Sequence, residues 1–231
     1  MSTSVAAAPV ASLDKAMAAH TRGDFAEAFA SFTSLAEAGD VDAGMWLAAM
    51  YANGEGVEAS LTRAFDLYLA AAEAGRVAAQ TNVGAMLVMG QGTPESPSEG
   101  AKWLERAAEQ GDVLAQFNLA VLFGKGQGVE KDERKAAELY RRAAEVGHYP
   151  SQARLGFHYA NGVGVEKDRV QAFVWYSLAA QHGVGNALNA LEGLIGQMSV
   201  EEKREGAALV ARWRSNTADI SRMARLNPMP G

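Results

Sequence analysis

The 231-residue sequence contains no cysteine and only six prolines, and its acidic residues outnumber its basic residues. The absence of cysteine excludes a disulfide scaffold, a thiolate metal site and a cysteine nucleophile. The formal net charge is −6, with 21 Lys and Arg against 27 Asp and Glu. This balance argues against a large nucleic-acid-binding surface, because such surfaces neutralise phosphates with basic side chains.

A secretory signal and a long apolar run are also missing from the sequence. No basic residue precedes Lys15, and Pro9 interrupts a weakly apolar N-terminal stretch, whereas a signal peptide joins positive charge to an apolar core. Polar residues and glycines dilute the uncharged stretch 77–94 too strongly for a membrane span. We expect a soluble protein, cytoplasmic if Met1 is the true start, with a periplasmic or secreted location as the alternative.

A repeat of 36 residues is the strongest pattern in the sequence, and it runs without an insertion. Each repeat closes with a glycine, at Gly39, Gly75, Gly111, Gly147 and Gly183. Alanine pairs precede these glycines at 71–72, 107–108, 143–144 and 179–180, and Gly-x-Gly sequences stand at 54–56, 90–92, 126–128 and 162–164. Aliphatic residues recur at Leu47, Val83, Leu119, Leu155 and Leu191. Large apolar residues recur at Tyr51, Leu87, Phe123, Tyr159 and Ile195.

Each repeat is predicted to form two helices separated by its Gly-x-Gly sequence. In the repeat that ends at Gly147, one apolar face of the first helix comprises Ala115, Leu119, Leu122 and Phe123. The matching face of the second helix comprises Ala136, Tyr140, Ala143 and Ala144. Glycine ends a helix because it adopts the left-handed backbone of a C-terminal cap without steric cost. Asp132 and Asp168 are placed to cap the helices that follow them.

Stacking of the repeats determines the predicted fold, because a helix pair of this length cannot bury its apolar face alone. The predicted class is all-α, a right-handed α/α superhelical solenoid of helix-turn-helix repeats with the first helices on the concave side. The expected domains are a flexible segment at 1–11, a capping unit similar to a tetratricopeptide repeat at 12–39, repeats at 40–198, a capping helix at 199–217 and a flexible tail at 218–231. Ser199 and Glu202 fit a capping box at the start of the last helix.

The repeat that ends at Gly183 carries a specific set of residues. These are Leu155, Gly156, Tyr159, Gly162, Gly164, Val165, Asp168, Ala172, Trp175, Tyr176, Ala179, Ala180 and Gly183. Their spacing resembles the Sel-1-like repeat family, a close relative of the tetratricopeptide repeats, and only Ser151 departs from that pattern. The repeat that ends at Gly111 departs most, with Leu87, Thr93, Ser96 and Gly100 at pattern positions. The resemblance covers residues 40–198 and implies a helical repeat protein.

Patterns of catalytic or metal-binding residues are absent from the sequence. The stretch from Gly124 to Gly128 has the glycines and lysine of a phosphate-binding loop, but it follows a helical pattern and recurs in other repeats, so it is interpreted as a helix-ending turn. No metal-ligand spacing connects the four histidines, His20, His148, His158 and His182. No Gly-x-Ser-x-Gly sequence or Ser-His-Asp order is present. We expect no catalytic residue, no metal site and no cofactor.

First-helix positions that differ between repeats are candidates for binding a partner, since constant positions are needed for packing. The candidates are Met45, Trp46, Asn82, Asn118, Phe117, Arg154, Phe157 and Asn161. Asparagines offer a donor and an acceptor to a peptide backbone, an arginine binds a carboxylate through two hydrogen bonds, and aromatic rings hold apolar side chains. The alternative is that the aromatic residues only fill space between repeats and that the asparagines cap or bridge helices.

Three functional hypotheses follow from these patterns. The first is a non-catalytic scaffold or adaptor that binds a partner peptide or protein on the concave face. The second is binding of a small molecule or cell-wall fragment, although the relatives described in that way resemble cysteine-rich chains. The third is a helical-repeat nucleic-acid binder, which the acidic charge and the lack of a basic stripe disfavour. We expect a protein partner, no nucleic acid and no membrane insertion.

Overall fold

The computed structural model describes the backbone of residues 12–226 and the side chains of residues 12–215. Its regular secondary structure over residues 12–226 is entirely helical, which confirms the predicted all-α class. The helices are α1 (Leu13–Thr21), α2 (Phe25–Glu37), α3 (Val41–Asn53), α4 (Leu61–Glu73), α5 (Val77–Met89), α6 (Pro97–Glu109), α7 (Val113–Lys125), α8 (Glu133–Glu145), α9 (Tyr149–Asn161), α10 (Arg169–Ala180), α11 (Gly185–Ile195) and α12 (Val200–Leu226). The segment expected at 1–11 and residues 227–231 of the expected tail lie outside the described residues.

The helices belong to two compact units. The N-terminal unit extends to Ala115 and includes 127–129, and the C-terminal unit comprises 116–126 and the residues from Glu130 onward. The core of the N-terminal unit contains the fully buried Phe32 and Met50. The core of the C-terminal unit is built from small and large apolar residues that include Ala172, Tyr176, Ala179, Leu194 and Met198.

The helix ends are capped as the sequence predicts. The side chain of Asp132 accepts hydrogen bonds from the backbone of Arg134 and Lys135 at the start of α8, and Asp168 accepts one from Gln171 at the start of α10. The repeat-closing glycines and both glycines of each Gly-x-Gly sequence have positive φ. The predicted capping box is also confirmed. The backbone N–H of Ser199 donates to Glu202 Oε2 at 2.7 Å, and the backbone N–H of Glu202 donates to Ser199 Oγ at 3.1 Å.

The second glycine of each Gly-x-Gly sequence has a packing role beyond the predicted turn. A Cβ atom added at Gly56 would lie 2.5 Å from the carbonyl oxygen of Phe25, the first residue of α2. The same contact recurs between each later second glycine and the first residue of the preceding repeat's second helix, in the pairs Gly92–Leu61, Gly128–Pro97 and Gly164–Glu133. These glycines therefore allow the backbones of successive helix pairs to meet directly.

A column of buried glutamines, which the sequence analysis did not identify, also joins successive repeats. Gln80 Nε2 donates to the carbonyl oxygen of Ala72 at 3.4 Å, and Gln152 Nε2 donates to that of Ala144 at 3.1 Å. Gln152 is fully buried, and this hydrogen bond satisfies a side-chain amide donor that water cannot reach. Each glutamine thus connects the first helix of one repeat to the alanine pair of the repeat before it.

The last helix is longer than the residue pattern predicts. Helix α12 extends from Val200 to Leu226, whereas the capping helix was expected to end at 217. No glycine or proline occurs between Gly206 and Pro228, so the sequence lacks a helix-breaking residue at the expected end. Gly206 allows close packing on α10, because a Cβ atom there would lie 2.6 Å from Cδ1 of Phe173.

Truncation of a buried aliphatic residue should destabilise the protein strongly. Leu155 has no exposed surface, and we expect Leu155→Ala to lower the free energy of unfolding by about 2–5 kcal/mol through lost apolar contacts and a residual cavity. Leu188→Ala is the matched control, since Leu188 is 49% exposed and should change it by only about 0.5 kcal/mol. Denaturant unfolding followed by circular dichroism measures both values. Equal losses in the two variants would contradict the assigned packing.

Candidate partner-binding groove

A groove of about 370 Å³ opens in the C-terminal unit between the first helices of successive repeats. It is called the α9 groove, and its lining residues are Phe117 from α7, Pro150, Ala153, Arg154 and Phe157 from α9, Tyr176 from α10, Val184 at the N-terminal cap of α11, and Asn186, Ala187 and Ala190 from α11. Pro150, Arg154 and Phe157 share one face of α9, because their spacing follows the helical period.

The shape of the α9 groove depends on a helical glycine. A Cβ atom added at Gly156 would lie 2.8 Å from Cδ1 of Tyr176, so the ring of Tyr176 packs directly against the backbone of α9. Burial raises the pKa of Tyr176, which keeps its phenol neutral. Ala153, Ala187 and Ala190 contribute small side chains to the walls, and this leaves open space between α9 and α11.

Besides Tyr176, two phenylalanines line the α9 groove, and they differ in exposure. The ring centroid of Phe117 lies 5.7 Å from that of Tyr140 and 5.2 Å from that of His148, so Phe117 also packs within the unit. Phe157 is 48% exposed, and its ring meets that of His158 edge-on at 6.0 Å. The exposed Phe157 therefore offers apolar surface to a bound molecule.

Arg154 is the charged residue of the α9 groove. Its side chain is exposed, and no carboxylate in the described part of the chain forms an ion pair with it. Burial raises the pKa of Tyr140, and the positive charge of Arg154 opposes that rise. The guanidinium group thus retains its donors for an external acceptor.

The candidates in the N-terminal unit occupy different surroundings. Trp46 stacks on Phe32 with ring centroids 5.6 Å apart and an interplanar angle of 3°, and its ring also lies 5.3 Å from that of His20. Met45 packs against a buried cluster that includes Val83. Asn82 is half-buried on α5. Because Met45 and Trp46 contribute to packing, we do not include them in the site.

The two remaining candidates in the C-terminal unit do not line the α9 groove. Asn118 is half-buried on α7, directly after Phe117. Asn161 is exposed at the end of α9, where its side-chain amide donates to the carbonyl oxygen of Phe157 at 2.9 Å. Asn161 thus closes a hydrogen bond within its own helix.

Two parts of the groove lining are not predicted from the sequence: the residues of α11, and Pro150 of α9. Pro150 and Asn186 stand 36 residues apart in one column of the repeat, and Pro150 precedes Arg154 by one helical turn. This spacing is a signal that could have identified Pro150 and Asn186 as one column on the same helix face as Arg154. The contribution of Tyr176 had no such signal, because it depends on the contact with Gly156.

The polar groups near the groove have structural partners. His148 Nδ1 and Ser151 Oγ are hydrogen-bonded at 2.8 Å, but Ser151 is fully buried and out of reach of a substrate. His158 is buried, and its Nδ1 lies 2.7 Å from the carbonyl oxygen of Val163. Across the described residues, no three histidine, aspartate or glutamate side chains are grouped to hold a metal ion. None of the helices within 12–226 has both the length and the hydropathy that a bilayer crossing requires.

Comparison with known proteins defines the class of this chain and then its family. Its stacked helix pairs are those of a helical repeat protein. The Sel1 repeat matches four segments, at residues 42–75, 77–112, 113–148 and 150–184, and the chain therefore belongs to the Sel1 repeat family. The resemblance identified in the sequence is confirmed. Sel1 repeats are generally protein–protein interaction modules, and their fold is typically a non-catalytic scaffold.

Solved structures show the same solenoid fold. A protective antigen of uropathogenic Escherichia coli with an SLR fold is 31% identical, with a TM-score of 0.77 over 89% of this chain and 44% of its own. A Sel1 repeat protein from Oxalobacter formigenes is also 31% identical, with a TM-score of 0.75 over 87% of this chain and 84% of its own. The chain thus spans less than half of the E. coli protein. An immunity protein from Pseudomonas aeruginosa, at 20% identity, shares the fold over 97% of this chain and 91% of its own, with a TM-score of 0.52. No curated protein matches the chain.

Protonation of His148 should destabilise the folded state. Burial lowers the pKa of His148 below its ordinary value of 6.5, so the unfolded chain binds this proton more readily as the pH falls below that value. In the unaltered protein, we expect the free energy of unfolding to fall as the pH is lowered from about 7.5 to about 5.5. The fall should be smaller in His148→Asn, because the variant lacks this titrating group. Urea unfolding at both pH values tests this. An identical pH dependence in the two proteins would refute the assignment.

Proposed function

We propose that the protein is a non-catalytic scaffold or adaptor whose α9 groove binds an extended peptide segment of a partner protein. The observation that carries this proposal is that the exposed Phe157 and Arg154, which has no ion pair with any described residue, line one concavity. Arginine and aromatic residues contribute most of the binding energy at protein interfaces. The general role of Sel1 repeats in protein–protein interaction supports the same function.

Each wall of the groove has a distinct role in the proposed complex. Phe157 and Phe117 hold an apolar side chain of the partner, and burial of exposed apolar surface favours binding. Arg154 binds a carboxylate of the partner through paired hydrogen bonds. Asn186 has a donor and an acceptor for the partner's backbone. The groove volume of about 370 Å³ lies within the range of small binding sites and suits a few side chains rather than a folded domain.

The candidate asparagines extend the proposed surface along α7 and α9. Asn161 follows Phe157 by one helical turn, so it continues the same face of α9 toward its C-terminal end. Asn118 follows Phe117 on α7. Both are assigned to the margin of the peptide site, where polar groups meet water and contribute less affinity than the central anchors.

Peptide selection tests the α9 groove directly. Random peptides displayed on phage are selected on the immobilised full chain, and the Kd of an enriched peptide is measured by fluorescence polarisation. We expect Phe157→Ala and Arg154→Glu each to weaken binding at least about tenfold, because each removes a central anchor.

Two surface variants outside the groove serve as controls. Val146 is 68% exposed at the end of α8, and Arg134 is exposed in its first turn. Val146→Ala and Arg134→Glu match the two groove substitutions in chemistry and should leave the Kd unchanged. A selection that enriches no peptide would contradict the proposed function. So would a Kd that both groove substitutions leave unchanged.

A further inference from the structure

A second concavity in the C-terminal unit shares no residue with the α9 groove. It has a volume of about 1040 Å³ and is called the α10 cleft. Its lining residues are Arg141 from α8, Tyr159 from α9, Val165, Glu166, Lys167 and Asp168 from the α9–α10 loop, Arg169 and Gln171 from α10, and Glu202 from α12. Three of these side chains are basic, although the whole chain is acidic.

A neutral partner orients Arg141 in the α10 cleft. Its Nη2 donates to the hydroxyl oxygen of Tyr159 at 2.9 Å, and its guanidinium carbon lies 5.9 Å from the ring centroid of Tyr159. A phenol does not compensate the positive charge, and one hydrogen bond uses only one of the five donors of the guanidinium group. No carboxylate forms an ion pair with Arg141 in the described part of the chain.

The other basic groups of the cleft also retain binding capacity. Lys167 is exposed in the loop and forms no ion pair with a described residue. Arg169 Nη1 lies 3.7 Å from Glu202 Oε1, which is beyond hydrogen-bond length, and the Arg169 side chain is 41% exposed. Such an exposed pair contributes little and can rearrange around a ligand.

The cleft also contains three carboxylates, equal in number to its basic groups, and two of them accept hydrogen bonds at helix starts. Asp168 caps α10 by accepting from the backbone N–H of Gln171 at 3.0 Å. Glu202 accepts from the backbone N–H of Ser199 at 2.7 Å in the capping box. Glu166 is exposed and forms no ion pair with a described residue.

Packing of the repeat does not require an arginine at position 141. The matching positions of the two preceding repeats hold Glu105 and Leu69, so an acid and an aliphatic residue both occur in this column. The preceding repeat has Phe123 at the position of Tyr159 and so lacks the hydroxyl, whereas Tyr51 in the same column accepts a hydrogen bond from Arg63 at 3.2 Å. The variation at position 141 therefore leaves Arg141 free to serve recognition.

We propose that the α10 cleft binds an oxyanion, a carboxylate or phosphate group, through Arg141 and Lys167, with Tyr159 as the positioning residue of Arg141. The unused donors of the guanidinium group form paired hydrogen bonds with two oxygens of the anion, and Lys167 adds a second positive charge. Tyr159 holds the guanidinium plane in place, so binding does not require Arg141 to become ordered first.

An NMR titration of the full chain tests this site. Inorganic phosphate and malonate are each titrated at constant ionic strength, and the side-chain Nε–H signal of Arg141 is followed. We expect a saturable shift with at least one of the two anions, and the anion that saturates identifies the ligand as phosphate-like or carboxylate-like. Arg141→Gln should raise the half-saturation concentration, read from the backbone amides of the α9–α10 loop, at least about tenfold.

Further variants separate binding from folding. Lys167→Gln changes an exposed loop residue and should weaken binding several-fold without altering the melting temperature. Tyr159→Phe keeps the charge of Arg141 and should also weaken binding, because the guanidinium loses its acceptor. Arg106→Gln, at an exposed position of α6 in the N-terminal unit, is the control and should leave the titration unchanged. Shifts that stay linear with both anions, or a half-saturation concentration that Arg141→Gln and Lys167→Gln leave unchanged, would overturn the proposal.

Discussion

Direct contact between the backbones of successive repeats is the constraint on which this structure depends. The second glycine of each Gly-x-Gly sequence, for example Gly164, meets the backbone of the first residue in the preceding repeat's second helix, here Glu133. A side chain at this position would push the two helix pairs apart. The same contact occurs within both units, at Gly56, Gly92 and Gly128 in the N-terminal unit and at Gly164 in the C-terminal unit. Within the C-terminal unit, the α9 groove opens between α9 and α11.

The sequence predicts the repeating part of the fold well, because packing and capping have local, periodic signatures. The fully buried Leu155 and the buried Tyr140 belong to columns that recur every 36 residues, and the caps at Asp132 and Asp168 follow from residue type and position. Arg154 and Phe157 also emerged from column comparison as side chains that packing does not require, and the structure brings them to one concavity.

Features that depend on contacts between distant residues could not be derived in this way. Trp46 occupies a variable column, yet it stacks on Phe32 of the shorter helix pair that precedes it, which a comparison of repeats does not reveal. Tyr176 reaches the α9 groove only because Gly156 lacks a side chain. The α10 cleft combines Arg141 with residues from later helices, including Glu202 of α12, which lies outside the repeat. Variation between repeats therefore shows which positions packing does not constrain. It does not show which contacts the side chain at such a position makes.

Comparing two glycines of the C-terminal unit tests the stacking contact most directly. Gly164 and Gly183 have similar positive φ values, +67° and +75°, but an added Cβ atom meets the backbone of Glu133 at Gly164 and no atom within 4 Å at Gly183. Alanine at either site carries the backbone strain of about 1–2 kcal/mol, and only Gly164→Ala adds the steric conflict, of about 1–3 kcal/mol. The account predicts a larger loss of unfolding free energy for Gly164→Ala than for Gly183→Ala in denaturant titrations. Equal losses would contradict it.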